Sequence, residues 1–109
     1  MMNRILNMTP HVVTLVDDAG EIIMRFAPED RYVRCRTQTT KVGEINGIPI
    51  TENQVTELLY LPPKKEGTYL IVSSYVADTV KRDDLLVPNG VITNEAGVKI
   101  GCTSLRRVC

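Results

Sequence analysis

Two groups of polar residues lie near the ends of apolar, strand-forming runs, and their side chains could bind or transform a ligand there. His11 is the single histidine and precedes a run of strand-forming residues, where its imidazole could act as a general base or contact a ligand. Ser73 and Ser74 follow a short apolar run, and their hydroxyls could join the free N–H groups of a helix start to bind an anion. The alternative is structural, because histidines fix strand starts by hydrogen bonding and serines cap helices.

Charged residues supply two further groups. Arg34 and Arg36 lie two residues apart in an alternating segment, so they share one face of a strand and are either solvated or anion-binding. Arg82 could hold a phosphate or carboxylate through paired hydrogen bonds, while Asp83 accepts from ribose hydroxyls or a base. The structural alternative for residues 82–84 is a cap and an ion pair that tie a helix end to the next strand.

None of these groups matches a catalytic or metal-binding motif. A serine–histidine–aspartate set can be drawn from the residues above, but no nucleophile elbow accompanies it. The histidine has no second ligand at metal-binding spacing, and Cys35, Cys102 and Cys109 are widely separated. We therefore expect no enzyme, no metal site, no cofactor and no disulfide framework, with the thiols either buried or terminal.

Composition bounds the class of protein. The 109 residues, 43% of them hydrophobic, fit one globular domain over residues 1–109. Thirteen basic side chains balance 13 acidic ones and aromatic residues are scarce, so nucleic acid is a disfavoured partner. No apolar run approaches the roughly 18 residues of a membrane helix, and the first residues lack the pattern of a secretion signal, so we expect a cytosolic protein with no membrane partner. The small core predicts that assembly into a homo-oligomer would add stability.

Strand patterns and turn residues predict the elements that position these groups. They indicate a mainly β (α+β) fold, a small antiparallel β domain of several hairpins with one or two short helices. Residues 52–61 fit either a helix or a strand, residues 61–67 a loop, Asn89-Gly90 a turn, and residues 104–109 a basic tail that frays at its end. The expected hairpins join residues 11–16 to 21–26, 41–45 to 48–51 around Asn46-Gly47, and 91–93 to 98–102. A further strand is expected over residues 32–39, a central one over 68–72, and a helix capped by Ser73 or Ser74 after it. The expected core is Val13, Leu15, Ile23, Val33, Leu70, Val72, Val76, Leu86, Ile92 and Ile100.

Several sequence blocks together carry a family resemblance. These blocks are residues 6–11 (LNMTPH), 43–50 (GEINGIPI), 69–73 (YLIVS), 76–77 (VA), 82–88 (RDDLLVP) and 100–102 (IGC). In their order, over nearly the whole length, the chain resembles small, uncharacterised proteins encoded by tailed phages and prophages. It departs from that family pattern over residues 56–61, where a glycine-containing hairpin is expected. The resemblance implies the cytoplasm of a bacterial host and an accessory role during infection.

Two functions of different classes follow as hypotheses. The first is a non-enzymatic binder that sequesters a small anionic, nucleotide-derived host defence signal in a pocket between subunits. Its ligand-binding residues would be Arg34, Arg36 and Arg82 on phosphates, with Ser73, Ser74, Asp83 and His11 around them. The alternative is a protein-interaction module that inhibits a host protein or braces a phage assembly. A role as an RNA or DNA accessory protein is disfavoured by the charge balance and the few aromatic rings.

Overall fold

The computed structural model describes residues 3–108, in which eight strands and one short helix alternate with tight turns. Short apolar runs such as residues 68–71 form strands because their β-branched and aromatic side chains suit a pleated, buried surface. The elements in chain order are β1 Arg4–Asn7, β2 Val13–Val16, β3 Ile22–Phe26, β4 Arg34–Ile45, β5 Ile48–Leu59, β6 Thr68–Ile71, α1 Ser74–Val80, β7 Leu85–Thr93 and β8 Lys99–Arg107.

Six of the strands form one mixed sheet in the order β1-β6-β7-β8-β2-β3. β1, β6 and β7 run parallel to one another, and α1 connects β6 to β7. β8 is antiparallel to β7 and pairs in parallel with β2, which is antiparallel to β3. The carboxyl ends of β1 and β6 therefore lie at the same end of the sheet as the starts of β2 and β8.

The sheet curls so that its two outer strands meet at this end. The side-chain amide of Asn7, at the end of β1, donates a hydrogen bond to the carbonyl of Phe26, at the end of β3, over 2.9 Å. Asn7 also forms a parallel bridge with Pro28, and its carbonyl accepts from the Glu29 N–H at 2.9 Å. A curled sheet of this kind has an inner face, an outer face and a mouth at each end.

Each face of the sheet carries its own apolar cluster. Alternation along β6 sends Leu70 to the outer cluster and Ile71 to the inner one, and both side chains are buried. α1 closes the outer cluster with Val76 and Ala77. The outer cluster contains Met8, Val33, Leu70, Val72, Val76, Ala77, Leu85 and Val87, and the inner one contains Val13, Ile71 and Cys102 with Ile5, Leu15, Phe26 and Leu105 around them.

β4 and β5 form a separate two-stranded sheet, here called the arm. Each strand has 12 residues, and Asn46 (φ 52°) and Gly47 (φ 78°) close them with the two positive φ angles of a type I′ turn. Only the base of the arm contacts the core, where Cys35 and Leu58 pack against the outer cluster. Because the arm extends away from the core, the Cα radius of gyration of the whole structure is 16.7 Å, against about 13 Å for a compact chain of this length.

The structure confirms the mainly β class and the three hairpins, and it assigns most of the ambiguous segment to β5. The helix begins at Ser74 with Ser73 as its N-cap, and it buries Val76. Residues 61–67 contain no strand or helix, as expected of a loop. The parallel pairings of β1, β6 and β7, and β1 itself, were not expected.

Four expectations were wrong. β7 continues through Asn89-Gly90, because Gly90 (φ 68°) bends within the strand, where a Cβ would lie 2.1 Å from the Thr103 hydroxyl oxygen. Residues 104–107 of the expected tail belong to β8, since they pair with β7. The last residue of that tail, Cys109, lies outside the described residues. Ile23 is 63% exposed, and its neighbours Ile22 and Met24 are at least half exposed as well, because β3 is an edge strand of the sheet. Ile100 is 42% exposed because it lies at the mouth of the sheet.

Candidate functional site

A cleft lies at the end of the curled sheet where β1 and β6 finish and β2 and β8 begin. The chain leaving β1 crosses this end as residues 8–12 to reach β2, and the chain leaving β6 turns there into α1. Loops at the carboxyl ends of parallel strands are a frequent place for ligand sites, because they converge above a rigid sheet. We call this cleft the mouth cleft; residues 9–14, 72–73, 88, 91 and 99–102 line it.

The mouth cleft is large enough for a small molecule. Its volume is about 680 Å³, within the usual range of about 300–1,000 Å³ for ligand pockets. Its walls are mainly apolar, and Val12 and Val91 are more than half exposed on them. The residues with polar side chains in its lining are Thr9, His11, Thr14, Ser73 and Lys99. Such a surface suits a ligand with an apolar body and a small number of charged or polar groups.

A second cleft adjoins the first along the loop after β1. It has a volume of about 410 Å³ and is lined by residues 8–10, 32–35, 73 and 75–76, so it shares Thr9, Pro10 and Ser73 with the mouth cleft. We call it the tyrosine cleft, because Tyr32 and Tyr75 both line it. The Arg34 guanidinium carbon lies 5.7 Å from the centre of the Tyr32 ring, within cation–π range, which orients the arginine beside the cleft.

A buried asparagine holds the loop that the two clefts share. Asn7 is 1% exposed, and its amide nitrogen donates to the carbonyls of His11 (2.7 Å) and Phe26 (2.9 Å). Its amide oxygen accepts from the backbone N–H of Thr9 (3.0 Å) and from the Thr9 hydroxyl (2.6 Å). With both ends of the amide bonded, residues 9–11 are fixed against the mouth of the sheet.

Ser73 stands at the border between the two clefts. It precedes α1 in an extended conformation, and its hydroxyl oxygen accepts the Val76 N–H at 3.3 Å. The predicted capping role is therefore present. The hydroxyl hydrogen is not used by this bond, because the cap uses the oxygen as an acceptor only.

The lining of the two joined clefts is asymmetric in charge. Neither cleft is lined by an aspartate or a glutamate, whereas Arg34, Lys99 and His11 are all present. None of the three forms an ion pair with another described residue. Because the whole chain has a net charge of zero, this local excess of basic groups is a property of the site and not of the composition. Its electrostatics favour an anion.

Two cysteines lie in the cleft walls and are held as thiols. Burial raises the pKa of Cys102 in the mouth cleft, and its Sγ–H donates to the Thr14 carbonyl at 3.5 Å. Burial also raises the pKa of Cys35 in the tyrosine cleft. A raised pKa disfavours the thiolate, which is the nucleophilic form.

The structure brings together three of the seven predicted site residues. His11 and Ser73 line the mouth cleft, and Ser73 and Arg34 line the tyrosine cleft. Arg36 points away along the arm, where its Nε lies 3.5 Å from a carboxylate oxygen of Glu57. Ser74 is the exposed first residue of α1 and lines neither cleft.

Arg82 and Asp83 lie at the opposite end of α1, about 10 Å away along its seven residues. Arg82 is used internally: Nε and Nη2 donate to the two carboxylate oxygens of the buried Asp84, at 2.9 and 2.5 Å, and Nη1 donates to the Pro62 carbonyl at 2.9 Å. Asp83 forms an ion pair with Lys64, and the hydrogen bond in that pair lowers the pKa of Asp83. The structural alternative, an ion pair at the end of the helix, is the arrangement observed.

Sequence reasoning missed Lys99, Tyr32 and Tyr75 as site residues. Lys99 begins β8, and nothing local connects it with residues 9–11 or 72–73, which approach it only through the sheet order. One signal was present: the short apolar runs 5–6 and 69–72 are each followed by a polar residue, Asn7 and Ser73, as parallel strands are at a ligand-binding edge.

Within residues 3–108, no helix is long and apolar enough to cross a membrane, and no three side chains of His, Cys, Asp or Glu are grouped as metal ligands. Comparison with protein-family models, with curated proteins and with solved structures finds no match to this chain.

Proposed function

We propose that this protein is a non-enzymatic binder of a small anionic, nucleotide-derived molecule, which it holds in the joined mouth and tyrosine clefts. The observation that carries the proposal is the charge of the lining, which contains the cations Arg34 and Lys99 and no carboxylate. A phosphate gains charge-assisted hydrogen bonds from such groups, each stronger than a bond between neutral partners.

The remaining lining groups suit the rest of a nucleotide. The Ser73 hydroxyl can donate to a phosphate or a ribose oxygen between the two clefts. Tyr32 and Tyr75 offer ring surface for a base, and the valines of the mouth cleft offer apolar surface. The raised pKa values of Cys35 and Cys102 favour unreactive thiols in the walls, which agrees with binding without conversion.

The biological setting of the proposal comes from the family resemblance. We propose that the protein is an accessory protein of a tailed phage, that it acts in the cytoplasm of the bacterial host, and that the molecule it sequesters is a host defence signal. Sequestration needs affinity and concentration but no chemistry, so a small rigid cleft is sufficient.

Calorimetric titration of the purified protein with a cyclic dinucleotide, a mononucleotide and the neutral nucleoside tests this function. We expect binding of a phosphate-bearing probe, no binding of the nucleoside, and recovery of the probe unchanged. Arg34→Ala and Lys99→Ala should each weaken binding by roughly ten- to a hundredfold, about 1.5–3 kcal/mol. Arg106→Ala, an exposed arginine outside both clefts, is the matched control. Equal affinity in all three variants would refute the site.

The alternative function, a protein-interaction module, is favoured by the arm, whose far end exposes isoleucines to solvent. Native mass spectrometry of the protein recovered from infected cells separates the two functions. A co-purifying small molecule supports sequestration, whereas a stoichiometric host or phage protein supports the alternative.

A further inference from the structure

The mouth cleft and the tyrosine cleft meet along a short border formed by Thr9, Pro10 and Ser73. The Thr9 N–H and hydroxyl both donate to the amide oxygen of Asn7, at 3.0 and 2.6 Å, and are therefore already used. Pro10 has no N–H to give. The Ser73 hydroxyl accepts the Val76 N–H at 3.3 Å and keeps its own hydrogen. A ligand oxygen placed on the border therefore meets its side-chain donor at Ser73.

The two cations of the site lie on opposite sides of this border. Lys99 lines the mouth cleft and not the tyrosine cleft, whereas Arg34 lines the tyrosine cleft and not the mouth cleft. They begin strands of different sheets, since Lys99 starts β8 of the curled sheet and Arg34 starts β4 of the arm. Neither forms an ion pair with another described residue. Cations separated in this way suit two anionic groups, one in each cleft.

Each cleft also has its own surface for a flat ring. The tyrosine cleft contains Tyr32 and Tyr75, and the Tyr75 side chain is 45% exposed. The mouth cleft contains Val12 and Val91, which are 55% and 51% exposed. Aromatic and apolar side chains cover the faces of a planar base. The same pair of features, a cation and an exposed apolar surface, is therefore present twice.

We infer that the joined clefts hold a dinucleotide, with one nucleotide unit in each cleft and the linkage between the units at the Ser73 hydroxyl. This inference rests on the proposed function and names its class of ligand. A dinucleotide with two phosphates has the two anionic groups, the two rings and the central oxygens that the site can contact. Linear and cyclic dinucleotides share this chemistry.

The arrangement favours the linked molecule over its separate halves. Once one unit is bound, the second binds its own cleft as an intramolecular step, which raises the affinity by about 10²–10⁴ without any new contact. The gain requires clefts that keep a fixed spacing. Asn7 supplies this, because its amide is 1% exposed and bonds residues 9–11 of the border loop at both ends. A border that is ordered in advance also lowers the cost of ordering on binding.

Calorimetric titration of the full chain with matched probes tests the inference. The probes are AMP, the linear 5′-phosphorylated diadenylate and cyclic diadenylate, together with the guanine counterparts of all three. We expect at least one dinucleotide to bind roughly a hundredfold or more tightly than the mononucleotide of the same base, with one molecule per chain. A preference for the linear or for the cyclic form supports the inference in either case and identifies the form.

Variants of the two cations test whether both clefts are occupied at once. Arg34→Ala and Lys99→Ala should each weaken the dinucleotide about tenfold or more, because each removes the cation of one unit. Both side chains are exposed, so circular dichroism should show a retained fold. Arg106→Ala, outside both clefts, should bind like the unmodified chain.

Mononucleotide binding followed by amide chemical shifts locates the two half-sites. Saturating mononucleotide should shift Tyr75 and Val76 in the tyrosine cleft and Gly101 and Cys102 in the mouth cleft. In the Arg34 variant we expect only the mouth-cleft shifts to remain, and in the Lys99 variant only those of the tyrosine cleft.

The outcomes separate this inference from the function on which it rests. Dinucleotides that bind no more tightly than mononucleotides, or whose affinity depends on one of the two cations alone, would overturn the inference and leave a binder of small anions. If no phosphate-bearing probe binds, the inference and the proposed function both fail.

Discussion

At the scale of single residues, Asn7 has the largest structural consequence for the site. Its amide joins the end of β1 to the end of β3 and fixes the loop that both clefts share. An asparagine suits this position because two carbonyls need donors and two Thr9 groups need an acceptor, and only an amide supplies both.

Asn7→Asp should therefore destabilise the protein by about 3 kcal/mol, because a carboxylate oxygen would replace the donor that faces the His11 and Phe26 carbonyls. Urea denaturation measures the change. Asn89→Asp is the control, since Asn89 is exposed and makes a single side-chain hydrogen bond of 3.3 Å, and it should change stability by less than about 0.5 kcal/mol. A similar loss of unfolding free energy in the two variants would show that the hydrogen bonds of the Asn7 amide do not hold the loop in place.

The Arg82 guanidinium suits anion binding, but its hydrogen bonds are already used inside the protein. We expect Arg82→Ala to lower the free energy of unfolding by about 3 kcal/mol, because it leaves the Asp84 carboxylate buried without its partner. Adding Asp84→Asn to the same protein should recover part of that loss by removing the unpaired charge. Nucleotide affinity should not change in either protein. A variant with normal urea stability and weakened binding would instead place Arg82 in the ligand site.

At the scale of elements, local signals were sufficient wherever the partner strand is close in sequence. Asn46-Gly47 predicted its hairpin because both residues accept positive φ, and the serine before α1 predicted the cap. The same Asn-Gly pattern failed at Asn89-Gly90, where the positive φ of Gly90 serves a bend inside β7 opposite Thr103. The pattern reports a backbone angle, and only the wider context decides whether the chain turns.

Elements whose partners are distant in sequence could not be predicted in this way. Arg4 pairs with Thr68, and Leu15 pairs with Cys102, so neither parallel contact has a local signature. The candidate site depends on these contacts, because they place residues 9–11, 72–73 and 99–102 around one cleft. Individual residues such as His11 and Ser73 were therefore predictable, whereas their juxtaposition with Lys99 was not.

At the scale of the whole molecule, the structure divides into a curled sheet that contains the core and an arm that contributes little to it. Both apolar clusters are built from the sheet, α1, the segments that connect them and the base of the arm, and no residue between Arg36 and Glu57 belongs to either cluster. The sheet should therefore fold without the distal arm.

Replacing residues 39–53 with Asn-Gly tests this division, because Gln38 and Gln54 are directly paired and would flank the new type I′ turn. We expect a folded chain whose thermal midpoint is within a few degrees of that of the full-length chain. Small-angle scattering should give a radius of gyration near 13 Å for the shortened chain, against about 17 Å for a single full-length chain. Nucleotide affinity should be the same in both, since neither cleft contains a residue from the removed segment. An unfolded shortened chain would mean that the arm stabilises the sheet through contacts beyond its base.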